Sequence, residues 1–136
     1  MDLLWPYRHS QSLALITDCI KNRASVCIRR KGETDKAAKG RLVAWSLLRA
    51  DYQEAMTHTV EECRGLGYGK RVAYGLVGKV LDLQKQRREA LQQEQGDGLE
   101  DMLVPYCFID PDNKVSQEMF NSMGFVKRTC HYWARY

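Results

Sequence analysis

The stretch Glu62-Cys63-Arg64-Gly65-Leu66-Gly67-Tyr68-Gly69-Lys70 concentrates the chemistry of this chain. Gly65, Gly67 and Gly69 carry no Cβ, so the backbone there can take positive φ and come close to a ligand. Arg64, Lys70 and Arg71 set positive charge at its edges. A helix starting near Gly69 would add unpaired N–H groups and the positive end of its dipole, which makes the stretch a cradle for an anion such as a phosphate. Cys63 has in Arg64 a cation of the kind that lowers a thiol pKa, but no His partner is evident in sequence, and it reads as inert packing.

Spacing separates the kinds of phosphate loop. A nucleotide-binding P-loop needs Gly-Lys followed by Ser or Thr to hold magnesium, and Gly69-Lys70 is followed by Arg71. A dinucleotide fingerprint needs glycine at the third place after Gly67, where Lys70 stands. The pattern that remains is Arg-x-x-Gly-x-Gly, filled by Arg64, Gly67 and Gly69.

Such a loop must be held between a strand and a helix. Gln53 to Val60 predicts the strand, with Ala55, Thr57 and Thr59 on one side and Glu54, Met56, His58 and Val60 on the other. Val72, Ala73, Leu76, Val77, Val80 and Leu81 predict one face of a helix reaching about Lys85, with Gly75 and Gly78 thinning another side for close packing. From Gln86 the sequence has no apolar face, and 86–102 is expected to be an exposed polar insertion, helical or loop.

Upstream, Leu13, Ile16 and Ile20 recur at helical spacing, with Leu15 and Cys19 alongside and Ser10 or Ser12 as N-cap. Ser25 to Arg30 and Leu42 to Leu48 are β-favouring runs that the charged segment 31–40 would join as an antiparallel pair. Downstream, Pro105 to Ile109 suits a buried strand, and Asp110-Pro111-Asp112-Asn113 a turn ending in a helix cap. Val115, Met119 and Met123 would share the face of that helix, flanked by Phe120 and stopped at Gly124, and Phe125 to Tyr136 is β-favouring again. A three-strand meander followed by strand-helix-strand-helix-strand predicts a mixed α+β sheet covered by helices.

A chain of 136 residues suits one domain, 1–136, with a core that needs no staples. At 44% hydrophobic and 28% charged, neither disorder nor a membrane class is favoured. The net charge of +4 suits a small anionic ligand, and without a basic face interleaved with aromatics no nucleic-acid partner is expected. No run is apolar enough for a membrane span, and no membrane partner is expected. Cys19, Cys27, Cys63, Cys107 and Cys130 are scattered and never in CxxC spacing, which disfavours a disulfide framework or a zinc site and suits a reducing interior.

The Arg64, Gly67, Gly69 pattern between strand and helix resembles the acetyl-coenzyme A loop of the GNAT acyltransferase superfamily. Asn113, Ser116, Met119, Phe120 and Met123-Gly124-Phe125 resemble that superfamily's Asn-rich helix ending in Gly-Phe, in the right order and separation. Val43-Ala44-Trp45-Ser46-Leu47-Leu48 and His58-Thr59-Val60-Glu61-Glu62-Cys63-Arg64 are similar to the C-terminal half of glycine N-acyltransferases, which have a Trp-Ser-Leu strand and a Thr-Leu-Pro-Glu-Tyr-Arg loop entry there. The similarity runs from about Trp5 to about Trp133, loosely outside the motifs.

This resemblance implies a GNAT-like mixed, mostly antiparallel sheet flanked by helices. It implies an N-acyltransferase moving an acyl group from acetyl-CoA or another acyl-CoA to a primary amine, with glycine or another small amino acid as acceptor and no metal. It places the pyrophosphate on the backbone of Gly65, Leu66, Gly67, Tyr68, Gly69 and Lys70, with charge from Arg64 and Lys70, and the pantetheine along the Thr57 to Val60 strand edge. Glu54 is the implied general base, with Gln53 one register step away; His58 is the second choice, since imidazole titrates near neutral pH. Asn113 would add a coenzyme contact to its capping role.

Two other functions stay open: an acetyltransferase acting on a protein N-terminus or lysine, and a coenzyme-binding half-domain without catalysis. Glycine acyltransferases carry an additional N-terminal half, so the chain is expected to be a fragment, a single-domain relative or one member of a homodimer. Phe120 stands where many GNAT enzymes have a tyrosine general acid, so a different donor, or water, is needed. Set against these roles, Glu54 could be a solvated strand-end carboxylate and His58 structural, Trp45 belongs in the core, and His131, Tyr132 and Trp133 suit a core or dimer face. The compartment expected is intracellular, cytoplasmic or mitochondrial.

Overall fold

The computed structural model describes residues 10–22, 25–31, 40–49, 52–94 and 105–128. Its elements there are α1 (Ser12–Asn22), β1 (Ser25–Arg30), β2 (Arg41–Leu48), β3 (Gln53–Thr59), a short 3-10 turn (Glu61–Cys63), α2 (Tyr68–Glu94), β4 (Tyr106–Cys107) and α3 (Lys114–Asn121). The strands lie in the order β1-β2-β3-β4; β1, β2 and β3 are antiparallel neighbours, and β4 runs parallel to β3. The meander is thus as expected, and most of its 31–40 connection lies outside the described residues.

β2 is the centre of the molecule. Every residue from Val43 to Leu48 is buried, because the strand is covered on both faces and so reads as a continuous apolar run. Val43, Trp45 and Leu47 pack with Ile16 and Cys19 of α1. Leu48, on the other face, packs with Leu76 and Val80 of α2 and with Val26 of β1. The apolar packing needed to hold the sheet is therefore split between one short helix and one long one.

α1 turns a different face inward from the one its spacing suggested. Ile16 belongs to two stripes, and the sheet takes the one formed with Ser12 and Cys19, leaving Ile20 exposed and Leu13 62% exposed. In α2, Val72, Ala73, Leu76 and Val80 are buried as expected, but Leu81 is exposed. A Cβ on Gly75 would lie 3.1 Å from Val26 Cγ1, so this glycine does let the helix close on β1, whereas one on Gly78 would meet nothing. The helix passes Lys85 and continues through Glu94. Residues 85–90 are exposed, so intrinsic propensity sustains them: Gln, Lys, Arg, Glu and Ala are good helix formers, and Lys85 and Glu89 lie 4.0 Å apart at i,i+4. The remainder of the expected insertion, 95–102, lies outside the described residues.

The predicted strand at Pro105 to Ile109 shrinks to Tyr106 and Cys107, both half-buried, with Phe108 exposed beside them. A turn soon follows, in which Asp112 N–H donates to Asp110 Oδ1 at 2.8 Å. Asn113 caps α3, its Oδ1 accepting from Ser116 N–H at 3.1 Å. The inward face of α3 centres on Phe120 rather than on Val115, which is 79% exposed. The helix ends in a Schellman arrangement: Gly124 has φ 89°, Phe125 N–H bonds Phe120 C=O at 3.1 Å, and the two rings meet edge to face at 5.1 Å. Residues 125–128 form no strand, and the rest of that predicted strand, with His131, Tyr132 and Trp133, lies outside the described residues.

Candidate active site

A bulge in β3 decides which side chains can work together. Trp45 stands opposite His58 and Ala44 opposite Thr59, but past a shift between Trp45 and Leu47 the partners become Leu47 with Ala55 and Leu48 with Glu54. Met56 absorbs the extra residue with φ 54°, an uncommon conformation for a residue with a Cβ. Opposed residues in an antiparallel ladder share a face. His58 therefore faces α1 with Trp45, and Glu54 faces α2 with Leu48. The simple alternation that set Glu54, Met56 and His58 on one side does not hold, and the structure does not bring Glu54 and His58 together.

Glu54 is 3% exposed. Its Oε1 accepts from Ser46 Oγ at 2.9 Å and from Thr57 Oγ1 at 3.1 Å, and the two hydroxyls lie 2.7 Å apart. Its Oε2 is buried with no hydrogen-bond partner among the described residues. Burial raises the Glu54 pKa above the ordinary 4.5, outweighing the two hydroxyls, which lower it. Cys107, opposite Glu54 on β4, is pushed up to about 12 by burial and by the carboxylate charge, so its thiol stays protonated. A desolvated carboxyl of this kind is better suited to taking up a proton than a solvated one. The expectation of a solvent-exposed strand-end carboxylate is corrected: the strand end is covered by α2.

His58 is half-buried against Trp45, with ring centroids 4.7 Å apart. Burial, and then the charge of Arg64, lower its pKa below the ordinary 6.5, so the imidazole is neutral at neutral pH. Trp45 is fully buried, as expected of a core residue.

Beyond β3 the chain makes the 3-10 turn at Glu61–Cys63 and reaches the glycines. Val60 is buried and its N–H is committed to Val43 C=O at 2.9 Å, so the expected pantetheine contact cannot use that N–H. Arg64 is exposed but anchored, its Nε donating to Thr59 C=O at 3.3 Å. Gly65 has φ 76° and Gly67 φ 74°, and a Cβ on either would touch nothing, so glycine is required here by backbone conformation. Gly69 is different. It is already helical, and a Cβ there would lie 3.0 Å from Met119 Sδ and 3.5 Å from Thr59 Oγ1. Its smallness lets α3 and β3 close on the start of α2, a packing role in place of the expected positive φ.

Arg71 N–H is the first to find a helical carbonyl, that of Gly67, at 3.2 Å. The N–H groups of Tyr68, Gly69 and Lys70 precede it in the first turn and point outward along the helix axis, where an anion is favoured. Lys70 and Arg71 are exposed there, with Arg71 over the Tyr68 ring at 5.9 Å. These donors, with anchored Arg64, fit a diphosphate. Beside them, β4 pairs with β3 only at Gln53 and Glu54, so among the described residues the far half of β3 has a strand on one side alone.

Phe120 is buried against Phe125 and has no proton to give. Sequence alone sets Thr57 at the pantetheine edge and joins neither it nor Ser46 to Glu54. The available signal was a serine inside a wholly apolar strand, since a buried hydroxyl needs a partner. Thr57 gave none, because it faces Glu54 only by virtue of the bulge.

No protein-family model matches the chain, and no curated protein matches it. Solved structures do. The structure of AAC(6')-Iy in complex with the bisubstrate analogue CoA-S-monomethyl-acetylneamine aligns with 98% of this chain and 86% of its own, at TM-score 0.56 and 13% identity. A protein from Agrobacterium tumefaciens str. C58 assigned as an acetyltransferase aligns over 99% and 88%, at TM-score 0.52 and 13% identity. At this identity the likeness is one of fold, and the fold of this chain is the GNAT-like mixed sheet flanked by helices.

Proposed function

We propose that the chain is an acyl-CoA-dependent N-acyltransferase acting on a primary amine, with glycine or another small amino acid as acceptor. The observations that carry this reading are the open helix N-terminus of α2, where Gly69 lies against Thr59, and the hydrogen bond from Thr57, two residues back along β3, to the buried carboxyl of Glu54. Positive charge and unpaired N–H groups suit the diphosphate at one end, and a desolvated base suits the amine at the other. The ligand held by AAC(6')-Iy, a bisubstrate analogue built on CoA, supports coenzyme A as the donor.

In this reading Tyr68, Gly69 and Lys70 bind the diphosphate through N–H groups while Arg64 and Lys70 neutralise its charge. The unpaired side of β3 takes the pantetheine amides as an added strand would, and an N–H of that strand stabilises the charge developing on the thioester oxygen. Glu54 takes the proton that the amine must lose before it attacks, with His58 as the alternative base from the other face. The departing thiolate takes its proton from water. Scattered free thiols at Cys19, Cys27, Cys63 and Cys107 suit a reducing compartment, cytoplasmic or mitochondrial.

A second reading, a coenzyme-binding domain without catalysis, is favoured by the burial of both Phe120 and Glu54. Incubation with acetyl- and benzoyl-CoA and a panel of small amino acids, amines and peptides, following thiol release, separates the two. Release with a small amino acid supports the proposal. Coenzyme binding without release from any amine sinks it in favour of the second reading, and release with peptides alone redirects it to a protein acceptor.

A further inference from the structure

We infer that Thr57 is the port through which Glu54 exchanges its proton, with Ser46 as the residue that holds the carboxyl to it; this rests on the acyltransfer reading above. A base must be reachable, and Glu54 is closed off. Its Oε2 is buried without a partner among the described residues, and its Oε1 meets only Ser46 and Thr57. Ser46 is fully buried, so of the three side chains Thr57 alone is half-buried and can meet an acceptor amine.

The geometry of the three oxygens suits a relay. Ser46 Oγ, Thr57 Oγ1 and Glu54 Oε1 form a triangle with edges of 2.9, 2.7 and 3.1 Å. Each hydroxyl carries one hydrogen and accepts at its lone pairs. With the carboxylate ionised, two hydrogens serve three edges; a proton on Oε1 supplies the third. The step balances without any co-reactant. The ammonium N–H bond breaks as its proton moves to Thr57 Oγ1, and the Thr57 hydroxyl hydrogen passes to Glu54 Oε1, directly or through Ser46. Thr57 ends unchanged, the amine is neutral and Glu54 is protonated.

The backbone is shaped for this contact. In a regular strand Thr57 would point away from Glu54, and the positive φ of Met56 brings it round. β4 presents the thiol of Cys107, α2 presents Leu76 and Val80 to Leu48 beside Glu54, and β2 presents Ser46.

Thr57→Val removes the hydroxyl at nearly constant shape, Thr57→Ser keeps it, and Ser46→Ala removes the holding contact. With an accepted amine, Thr57→Val is expected to lower kcat by about 10- to 100-fold while KM for acyl-CoA stays within about twofold, and Thr57→Ser to restore most of the loss. Since the two residues act as one unit, Thr57→Val added to Glu54→Gln should cost little more than Glu54→Gln alone. Wild-type kcat in Thr57→Val, or losses that multiply in the double variant, would overturn the relay.

A second measurement does not depend on turnover. With carboxyl-labelled glutamate, and Glu54 assigned by its loss in Glu54→Gln, the wild-type carbon should move with pH as one averaged line. In Thr57→Val the same line should broaden or split as proton exchange slows, and in Ser46→Ala it should stay averaged but titrate at a different pH. Identical line shapes in wild type and Thr57→Val refute the port. Absence of thiol release by the wild-type protein refutes the acyltransfer reading instead, and the line shapes still decide whether Thr57 is the proton's route.

Discussion

Burial determines what Glu54 can do. A carboxyl with one oxygen unpartnered among the described residues and the other held by two hydroxyls is costly to ionise and ready to take a proton. Glu54→Gln keeps the shape and removes the basic oxygen. It is expected to leave acyl-CoA affinity unchanged and to slow turnover by about 100-fold or more, as checked by steady-state kinetics alongside equilibrium binding. An unchanged rate would remove Glu54 as the base and leave the alternative proposed above, His58, which lies on the opposite face of the sheet. At Gly67, φ of 74° already costs a residue with a Cβ about 1–2 kcal/mol, and a carboxylate there opposes any anion at the start of α2. Gly67→Glu should therefore abolish coenzyme binding in calorimetry while the protein stays folded by circular dichroism; wild-type affinity would overturn the loop assignment.

The elements of the site depend on small residues for closeness, and the glycines of α2 can be told apart by what a methyl group would meet. Gly78 faces open space within a helix, so Gly78→Ala should stabilise the fold by about 0.5–1 kcal/mol. The same change at Gly75 sets a Cβ 3.1 Å from the stiff, branched side chain of Val26, so its helix gain should be cancelled or reversed. Urea midpoints of the two variants measure the contrast, and equal shifts would show that α2 does not press on β1 at Gly75. Both glycines stood out in the sequence as a thinned helix side, but which one touches the sheet depends on the rotation of α2. That rotation is set by Leu76 and Val80 docking on Leu48. Likewise Leu13, Ile16 and Ile20 marked a helix correctly but chose the wrong inward stripe, since only contact with Val43, Trp45 and Leu47 selects between two stripes that share Ile16.

The titrations at the two faces of the sheet give the whole molecule opposed pH responses. Glu54 has its folded pKa raised above 4.5, so between that value and the higher folded one the native state holds a proton that the unfolded chain has released. Its contribution to stability is full below 4.5 and is lost as pH rises. His58 has its folded pKa lowered below 6.5, so its contribution is full above 6.5 and is lost as pH falls through the folded pKa. Denaturant unfolding at several pH values should show Glu54→Gln gaining on the wild type as pH rises above 4.5, and a neutral replacement of His58 gaining as pH falls below 6.5. Parallel wild-type and variant curves would remove these two groups as the source. By itself the sequence determined the order of elements from α1 to α3, the meander, the turns at Gly65 and Gly67, the Asn113 cap and the Gly124 stop, because each rests on local periodicity or on one residue's backbone preference. Tertiary structure alone decided that Glu54 and His58 lie on opposite faces and that Ser46 and Thr57 hold Glu54. The Met56 bulge is a matter of register between β2 and β3, and one extra residue in a strand of period two sends every later side chain to the other side.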